Sequence, residues 1–348
     1  MQHIRSVRAL AILVVASAAM AGGALPAFSS PVGSPQDASP VKPGVGTQGS
    51  AAGRTDAAAG KDASRVLALS TVADLMASMR EEAFAYASYS FFGKQAEREK
   101  LPRAAKLFAD TAEDELNDHF KREAGLADLV GSDESNLRRA IEGETTEALT
   151  SYPEFAEQAR RDGDAAAAEL FDELARDEND HRKALTAALK AVVSGKGNVP
   201  AASAARHETV AAGVPLASSP RTRENLARAM HGEALAHAAY TLFAQHAKDH
   251  GHAKVAALFT GLADVELNEH FAGLARQAGL VGTTADNLRA SVAAEHHAHR
   301  VMYPKFAERA RKAGDVRAAE VFTQSHIKKR SYPRQYKFIN RWEADDKK

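Results

Sequence analysis

The sequence predicts an all-α fold made of two tandem four-helix bundles. Apolar residues recur at steps of three and four along four segments between about residues 70 and 190, as in helices with one buried face. The same pattern returns from about residue 221. Each helix of the first half also carries a carboxylate at mid-length among its apolar residues. A buried charge without a partner is unfavourable, so these acids predict a bound cation in the core.

The first two helices each place an acid within an apolar stripe. The first begins near Ser70-Thr71, and Glu82 lies in a stripe with Leu75, Met79, Tyr86 and Tyr89. The second begins near Pro102, and its stripe of Phe108 and Ala112 continues into Glu115 and His119. A connector that contains Gly131 follows. Both helices therefore direct potential metal ligands into the same core.

The third and fourth helices repeat this arrangement. The third carries Glu144 within a stripe of Leu137, Ile141, Ala148 and Phe155, and Glu147 lies beside that stripe. Gly163-Asp164 separates it from the fourth helix, whose stripe contains Phe171, Leu174, Glu178, His181 and Leu185. A carboxylate and an imidazole on one buried face are typical metal ligands.

The second half of the chain is a duplication of the first. Glu82, Glu115, His119 and Tyr152 correspond to Glu233, Glu266, His270 and Tyr303, and each pair is separated by 151 residues (233−82, 266−115, 270−119, 303−152). The copies therefore align without a gap through these positions, which indicates an internal repeat of one four-helix unit. We predict domains at 66–193 and 221–340.

The remaining segments have other compositions. Residues 1–25 contain Arg5 and Arg8 before a short apolar run and resemble a cleaved signal peptide, which predicts export to a periplasmic or extracellular location. Residues 26–65 are rich in Ala, Gly, Pro and Ser and predict a disordered linker. A second linker is predicted at 194–220 and a tail at 341–348. No segment predicts a stable membrane anchor.

Composition limits the chemistry. Lys and Arg together number 45, as do Asp and Glu, so no overall charge favours nucleic acid. The chain has no cysteine, which excludes disulfides, thiolate zinc sites, iron–sulfur clusters and a cysteine nucleophile. Any metal must be held by Glu, Asp and His, a donor set that suits non-haem iron or manganese.

One Glu on each of two helices and a Glu-His pair on each of the other two is the ligand set of ferritin-like di-iron bundles. More specifically, the sequence resembles rubrerythrins. The resemblance is carried by Glu82 seven residues before Tyr89, by Gly143-Glu144-Thr-Thr-Glu147 with Tyr152-Pro153-Glu154-Phe155, and by Glu178-Asn-Asp-His181. It covers roughly 70–190 and again 221–332.

The resemblance implies two iron ions, with manganese as an alternative, and a set of ligands from the first copy: Glu82, Glu115, His119, Glu144, Glu147, Glu178 and His181. It also implies catalytic roles for Glu147, which in that family exchanges with the second-helix histidine when the metal changes redox state, and for Tyr89, whose hydroxyl would lie near the metal. The family reduces hydrogen peroxide to water. Hydrogen peroxide or O₂ is the expected substrate.

Two features depart from the family. Glu115-Leu-Asn-Asp-His119 is one residue longer than the family's Glu-x-x-His, and Glu266 and His270 share the longer spacing. Residues four apart still share a helix face, and a π-bulge would accommodate the extra residue. The chain also lacks a cysteine-ligated rubredoxin domain, so turnover requires an external electron donor.

The second copy predicts a degenerate site. Glu233, Glu266, His270 and Glu295 persist, but Ala298, Lys329 and Tyr332 replace the counterparts of Glu147, Glu178 and His181. The Lys329 ammonium can neutralise the remaining acids without a metal. A single ion that recruits His299 or His326 is the alternative.

Two pairings of the helices satisfy this ligand count. Each copy forms its own bundle, or the copies exchange helix pairs, so that Glu233, Glu266 and His270 complete the set of Glu144, Glu147, Glu178 and His181. In a local bundle the connector between helices two and three must climb roughly 23 Å, and about ten residues extend at most roughly 33 Å. Local pairing is therefore feasible, and we favour it slightly. The chain would form a homodimer or an internal pseudo-dimer.

Two functions follow. The first is a di-iron oxidoreductase that reduces peroxide or O₂ and protects an extracytoplasmic compartment. The second is a protein that binds or oxidises iron without turnover, which the missing electron donor favours. A purely structural module is the third interpretation, and the intact ligand set argues against it.

Overall fold

A computed structural model describes residues 66–202 and 204–345, with side chains to residue 341. Within these ranges the chain is helical with irregular connections, and no strand occurs. This confirms the predicted all-α fold. The predicted signal peptide and first linker (1–65) and residues 346–348 of the tail lie outside the described residues. None of the described helices combines the length and the apolar character needed to cross a membrane.

The first copy forms two helical hairpins. Hairpin A consists of α1 (Leu69–Arg98), α2 (Pro102–Asp114), a π-helical turn π1 (Glu115–Phe120) and α3 (Lys121–Leu126). Hairpin B consists of α4 (Asp133–Thr146), π2 (Glu147–Ser151), α5 (Tyr152–Arg161) and α6 (Ala165–Ser194). The Ser132 hydroxyl accepts a hydrogen bond from the Ser135 amide and caps α4. Pro153 follows π2 closely and lacks the amide donor that a regular helix requires.

The second copy repeats this order. Hairpin C consists of α7 (Pro220–Asp249), α8 (Ala253–Val265), π3 (Glu266–Phe271) and α9 (Ala272–Ala278). Hairpin D consists of α10 (Thr284–His297), π4 (Ala298–Met302), α11 (Tyr303–Ala313), α12 (Val316–Lys329) and α13 (Tyr332–Asp345). The π-helical turns at Glu115 and Glu266 confirm the π-bulge expected from the longer Glu-His spacing. The described residues between α6 and α7 (195–202 and 204–219) are not helical.

The copies exchange their hairpins. Helices α4 and α5 of hairpin B pack on α7 of hairpin C, whereas α10 and α11 of hairpin D pack on α1 of hairpin A. The result is two four-helix bundles, which we call bundle BC and bundle AD, each built from halves of both copies. The slight preference for local pairing was therefore wrong.

The reach of the connector explains the exchange. Helix α3 continues to Leu126 and α4 begins at Asp133, so only residues 127–132 are available. At about 1.5 Å per residue, a local bundle that brings His119 level with Glu144 would require a climb of roughly 27 Å. The seven steps from Leu126 to Asp133 extend at most about 25 Å. Helix ends near Ala124 and Glu134, as the sequence pattern predicts them, would leave shorter helices and a longer connector.

The two bundles meet along α1 and α7, the equivalent first helices of the two copies. The rings of Tyr86 and His237, which are 151 residues apart (237−86), stack with centroids 5.3 Å apart at an interplanar angle of 7°. The Phe84 ring stacks on His231 with a centroid distance of 4.1 Å. This packing brings side chains of each bundle close to the core of the other.

Candidate metal centre

Metal-ligand side chains converge in the middle of bundle BC. Hairpin B supplies Glu144 from α4, Glu147 from π2, and Glu178 and His181 from α6. Hairpin C supplies Glu233 from α7, and Glu266 and His270 from π3. All are at most 5% exposed except Glu147, which is partly exposed. Four of them, Glu178, His181, Glu266 and His270, offer donor atoms that all lie within 4.8 Å of one another.

Glu178 and Glu266 each lie between the two imidazoles. The oxygens of Glu178 are 2.9 Å from His181 Nδ1 and 3.0 Å from His270 Nδ1. Those of Glu266 are 3.2 Å from His181 Nδ1 and 2.9 Å from His270 Nδ1. Each carboxylate therefore presents one oxygen to each histidine, the arrangement expected of two carboxylates that bridge a pair of metal ions.

Glu144 and Glu233 lie at opposite ends of this cluster. A Glu144 oxygen is 3.8 Å from His181 Nδ1, and a Glu233 oxygen is 3.6 Å from His270 Nδ1. Tyr240 of hairpin C donates a hydrogen bond to Glu144, and Tyr152 of hairpin B donates one to Glu233. Each terminal carboxylate is thus oriented by a tyrosine of the other hairpin.

The electrostatics of the cluster without metal show how strongly its members interact. Burial acts to raise the pKa of Glu178, but the charge on His270 and the hydrogen bond with His181 hold it well below its usual range. Burial acts to lower the pKa of His181, but Glu266 and Glu178 raise it to about 10. Burial and the charge of Glu178 raise the pKa of Glu144. A metal must displace these protons, so binding and proton release are coupled.

The residues of bundle BC fit a pair of metal ions. Oxygens of Glu144, Glu178 and Glu266 are buried without a hydrogen bond of suitable geometry. Such groups are costly unless something else satisfies them. Five carboxylates and two imidazoles with no thiolate form a donor set for iron or manganese.

The space for Glu147 depends on a glycine of the other copy. A Cβ at Gly232 would lie 2.9 Å from Glu147 Oε1, so a side chain there would displace the carboxylate. In bundle AD, positions 151 residues away reverse this pair: Glu81 replaces Gly232 (232−81) and Ala298 replaces Glu147 (298−147). The bundle that has the extra carboxylate also has the small residue that admits it.

Bundle AD holds Lys329 at the position that is equivalent to Glu178 of bundle BC (329−178). Lys329 Nζ lies 2.7 Å from Glu115, 3.0 Å from Glu82 and 3.4 Å from Glu295. Burial acts to lower the pKa of Lys329, but the surrounding carboxylates raise it well above its usual range. The ammonium therefore supplies the positive charge that a metal supplies in the other bundle. Glu82, Glu115 and His119 offer three clustered donor atoms, but Lys329 faces both carboxylates.

The structure corrects how the predicted ligands are grouped. Glu82, Glu115 and His119 do not join the first-copy ligands Glu144, Glu147, Glu178 and His181, because hairpins A and B belong to different bundles. Glu233, Glu266 and His270 complete that set instead. Tyr89, predicted to be catalytic, donates a hydrogen bond of 2.5 Å to Glu295 in bundle AD, and its counterpart Tyr240 lies at the complete cluster.

His299 and His326 do not complete a site in bundle AD. Their rings stack with centroids 4.4 Å apart, and each Nδ1 donates to the backbone oxygen of the other residue. This reciprocal pair satisfies them without Glu295. Glu123, which the sequence did not predict as a buried acid, is fully buried and accepts hydrogen bonds from Ser78 and Tyr303. Its counterpart is Leu274 (274−123), so the repeat contains no signal for it.

Neutral His119 should make bundle AD sensitive to acid. Burial, assisted by Lys329, lowers the pKa of His119 to about 4 despite the charge of Glu82. The unfolded chain takes up this proton below about pH 6.5, whereas the folded chain does so only near pH 4. The contribution is therefore complete above pH 6.5 and is lost as the pH falls towards 4, by about 3 kcal/mol at most.

Urea unfolding at pH 7 and pH 4.5 measures this effect on the free energy of unfolding. The His119→Gln variant should lose less stability than the wild type over that interval, and a variant of the exposed His250, His250→Gln, should behave as the wild type. Equal losses in all three proteins would contradict the assignment.

Comparison with known proteins identifies the same two repeats. The family model for rubrerythrin matches residues 74–189 and 224–328. A rubrerythrin from Porphyromonas gingivalis is 35% identical over 134 residues, which cover 35% of this chain and 66% of that protein. One from Nitratidesulfovibrio vulgaris is 36% identical over 115 residues, covering 29% of this chain and 60% of that protein.

A rubrerythrin-1 from Clostridium acetobutylicum is 30% identical over 143 residues, covering 36% of this chain and 73% of that protein. This chain thus spans between about 60% and 73% of the length of these relatives. No solved structure matches it significantly.

Proposed function

Since the chain belongs to the rubrerythrin family, we propose that it reduces hydrogen peroxide or O₂ at a carboxylate-bridged di-iron centre in bundle BC and so contributes to oxidative-stress defence. Rubrerythrins bind a di-iron centre, and the cluster in bundle BC has the donors for one. The observation that supports the proposal best is the placement of Glu178 and Glu266, each with one oxygen near each of the two histidines.

The two ions would have distinct terminal ligands. One would be held by His181 and Glu144, and the other by His270 and Glu233, with Glu178 and Glu266 shared between them. Glu147 lies at the partly exposed edge of the cluster and supplies the seventh donor. Each ion would draw ligands from both hairpins, so the centre would form only in the exchanged arrangement.

A bound iron pair would supply the two electrons that peroxide accepts, together with two protons, when it is reduced to two molecules of water. The chain contributes the environment. The helices around the cluster bury its side chains and so exclude bulk water. The hydroxyls of Tyr152 and Tyr240 hold the carboxylates of Glu233 and Glu144 in place. Glu147 is the only partly exposed member of the cluster.

The proposal includes one centre per chain, an external electron donor and export. Lys329 neutralises bundle AD, so we expect two iron ions per chain rather than four. The chain has no cysteine for a rubredoxin-type iron site, so electrons come from another molecule. Export predicts that the protein isolated from the extracytoplasmic fraction has lost about the first 25 residues, as measured by its intact mass.

Anaerobic stopped-flow spectroscopy tests the activity. The reduced protein loaded with two irons should be oxidised faster by peroxide than by O₂ and should be re-reduced by a suitable donor. The Glu147→Ala variant, which reproduces Ala298 of the other bundle, should retain two irons and react with peroxide about tenfold or more slowly. The exposed Glu154 provides a control, and Glu154→Ala should react at the wild-type rate.

Two other outcomes would contradict the proposed reduction of peroxide or O₂. Rapid oxidation by O₂ with no re-reduction by any donor would indicate iron sequestration without turnover. A wild-type protein that binds no iron would exclude both functions.

A further inference from the structure

Two histidines and a buried aspartate lie together at one end of bundle BC. Asp133 is the first residue of α4, His246 lies in the last turn of α7, and His252 immediately precedes α8. Along α7, His246 follows the metal-centre residue Glu233 by 13 positions (246−233), which is about 20 Å at 1.5 Å per residue. The cluster is therefore separate from the ligands described above.

The Asp133 carboxylate lies between the two imidazoles. Its Oδ2 accepts a hydrogen bond of 2.5 Å from His252 Nδ1. Its Oδ1 lies 3.8 Å from His246 Nε2, which is too long for a hydrogen bond. Two ligands of a tetrahedral ion, each about 2.1 Å from the metal, lie about 3.4 Å apart. The separation of Oδ1 and Nε2 is thus close to that of two ligands that share an ion.

Asp133 has one oxygen without a partner in an almost enclosed position. Its side chain is 5% exposed, and Oδ1 is buried without a hydrogen bond. Such an oxygen is costly unless another group satisfies it. The histidine side chains are more exposed, at 23% for His246 and 57% for His252. The His252 ring can therefore turn towards an ion beside Oδ1 without disturbing the core.

A cavity of about 470 Å³ adjoins the cluster. Asp133 and His252 line it, together with Val192 of α6 and the exposed Lys254. The Lys254 ammonium donates a hydrogen bond of 3.4 Å to the side chain of Asn198. The cavity gives water room to complete the coordination of an ion that has three protein ligands.

The corresponding end of bundle AD is built differently. The three positions 151 residues away hold Thr284 for Asp133 (284−133), Gln95 for His246 (246−95) and Leu101 for His252 (252−101). There the amide of Thr284 donates a hydrogen bond of 3.0 Å to Glu99. The two imidazoles beside a buried carboxylate are thus not a general feature of the repeat.

We propose that Asp133, His246 and His252 bind one divalent transition-metal ion, for which Zn²⁺ is the best suited, and that this ion joins hairpin B to hairpin C. Two imidazoles and a carboxylate are common Zn²⁺ ligands, and such donors bind Zn²⁺ more tightly than Fe²⁺. The ion replaces the proton that His252 Nδ1 donates to Oδ2. Because Asp133 follows the connector 127–132 directly, the ion stabilises the exchanged arrangement of the hairpins.

Titration of the metal-free Glu266→Gln protein with Zn²⁺ tests the proposal, because the metal centre of bundle BC should not fill in this variant. It should bind one Zn²⁺, and the ion should raise its melting temperature. Adding His246→Gln or Asp133→Asn should weaken this binding at least about tenfold and abolish the rise. The control substitution His207→Gln removes an exposed histidine that pairs with Asp264 at 3.0 Å elsewhere on hairpin C, and it should leave the affinity unchanged.

Substitution of His246 keeps the test decisive if Asp133→Asn disturbs the start of α4. Absence of a bound Zn²⁺ in Glu266→Gln, or an unchanged affinity after His246→Gln, would overturn the proposal. Zinc that is lost only when Glu178→Gln is added would lie in the remainder of the metal centre, which would also overturn it. Each of these results leaves the iron-dependent function proposed above to its own test, because that function does not require this site.

Discussion

Glu266→Gln should abolish binding of the metal pair, although Glu266 belongs to the copy that lacks three of the predicted ligands. Its two oxygens face His181 at 3.2 Å and His270 at 2.9 Å, so both ions depend on it. An amide is neutral and can offer only one oxygen. Loss of contacts outside the ligand shell already costs about 10–100-fold in metal affinity, so loss of this shared ligand should cost at least about 100-fold. Metal content after gel filtration measures the result.

The matched control is Glu115→Gln, the same substitution 151 residues earlier (266−115). Glu115 lies against Lys329 in bundle AD at 2.7 Å, so its loss should leave two bound ions. This pair of variants discriminates between the two arrangements of the hairpins. If each copy formed its own bundle, Glu115→Gln would lose the metal and Glu266→Gln would retain it.

The ligands could be identified from the sequence because polar side chains occur at positions where the helix pattern predicts burial. Glu178 and His181 interrupt a stripe that includes Leu174 and Leu185, and only a cation explains polar ligands there. The structure places both side chains in the core at no more than 5% exposure. The same argument found Glu144 and Glu266.

The pairing of the hairpins could not be predicted from the positions of the ligands. Both arrangements contain one complete and one incomplete ligand set, so counting ligands does not discriminate between them. The decision depends on the length of one connector, residues 127–132, and therefore on helix ends that sequence patterns locate only to within a few residues. A difference of two residues at the end of α3 and of one residue at the start of α4 changed a feasible local crossover into one beyond the reach of the chain.

The contact between Gly232 and Glu147, which joins the two copies, was not predicted, although the sequence contains evidence for it. Gly232 and Glu147 lie far apart in sequence, and their contact is evident only once hairpins B and C are brought together. Their counterparts, Glu81 and Ala298, exchange the large acidic and the small residue. Comparison of the two copies position by position would have revealed this reciprocal change and favoured the exchanged arrangement.

Lys329→Ala should destabilise the chain by about 3–5 kcal/mol, the cost of removing one partner from a buried group of charges. Lys329 is 2% exposed and faces carboxylates of both hairpins of bundle AD, Glu82 and Glu115 from one and Glu295 from the other. Without the ammonium these acids repel one another or must take up protons. Urea unfolding of the metal-free protein at pH 7 measures the change in the free energy of unfolding.

The neighbouring lysine provides the control. Lys328 pairs with Asp114 at 3.0 Å and Asp118 at 2.7 Å, but its side chain is 36% exposed, so Lys328→Ala should cost less than about 1 kcal/mol. The two variants remove the same charge from adjacent positions and differ mainly in burial. Equal effects would show that Lys329 does not compensate buried acids, and bundle AD would then require another source of positive charge. A large effect at Lys329 alone would mean that the same fold balances its buried carboxylates with an ammonium in bundle AD and with metal ions in bundle BC.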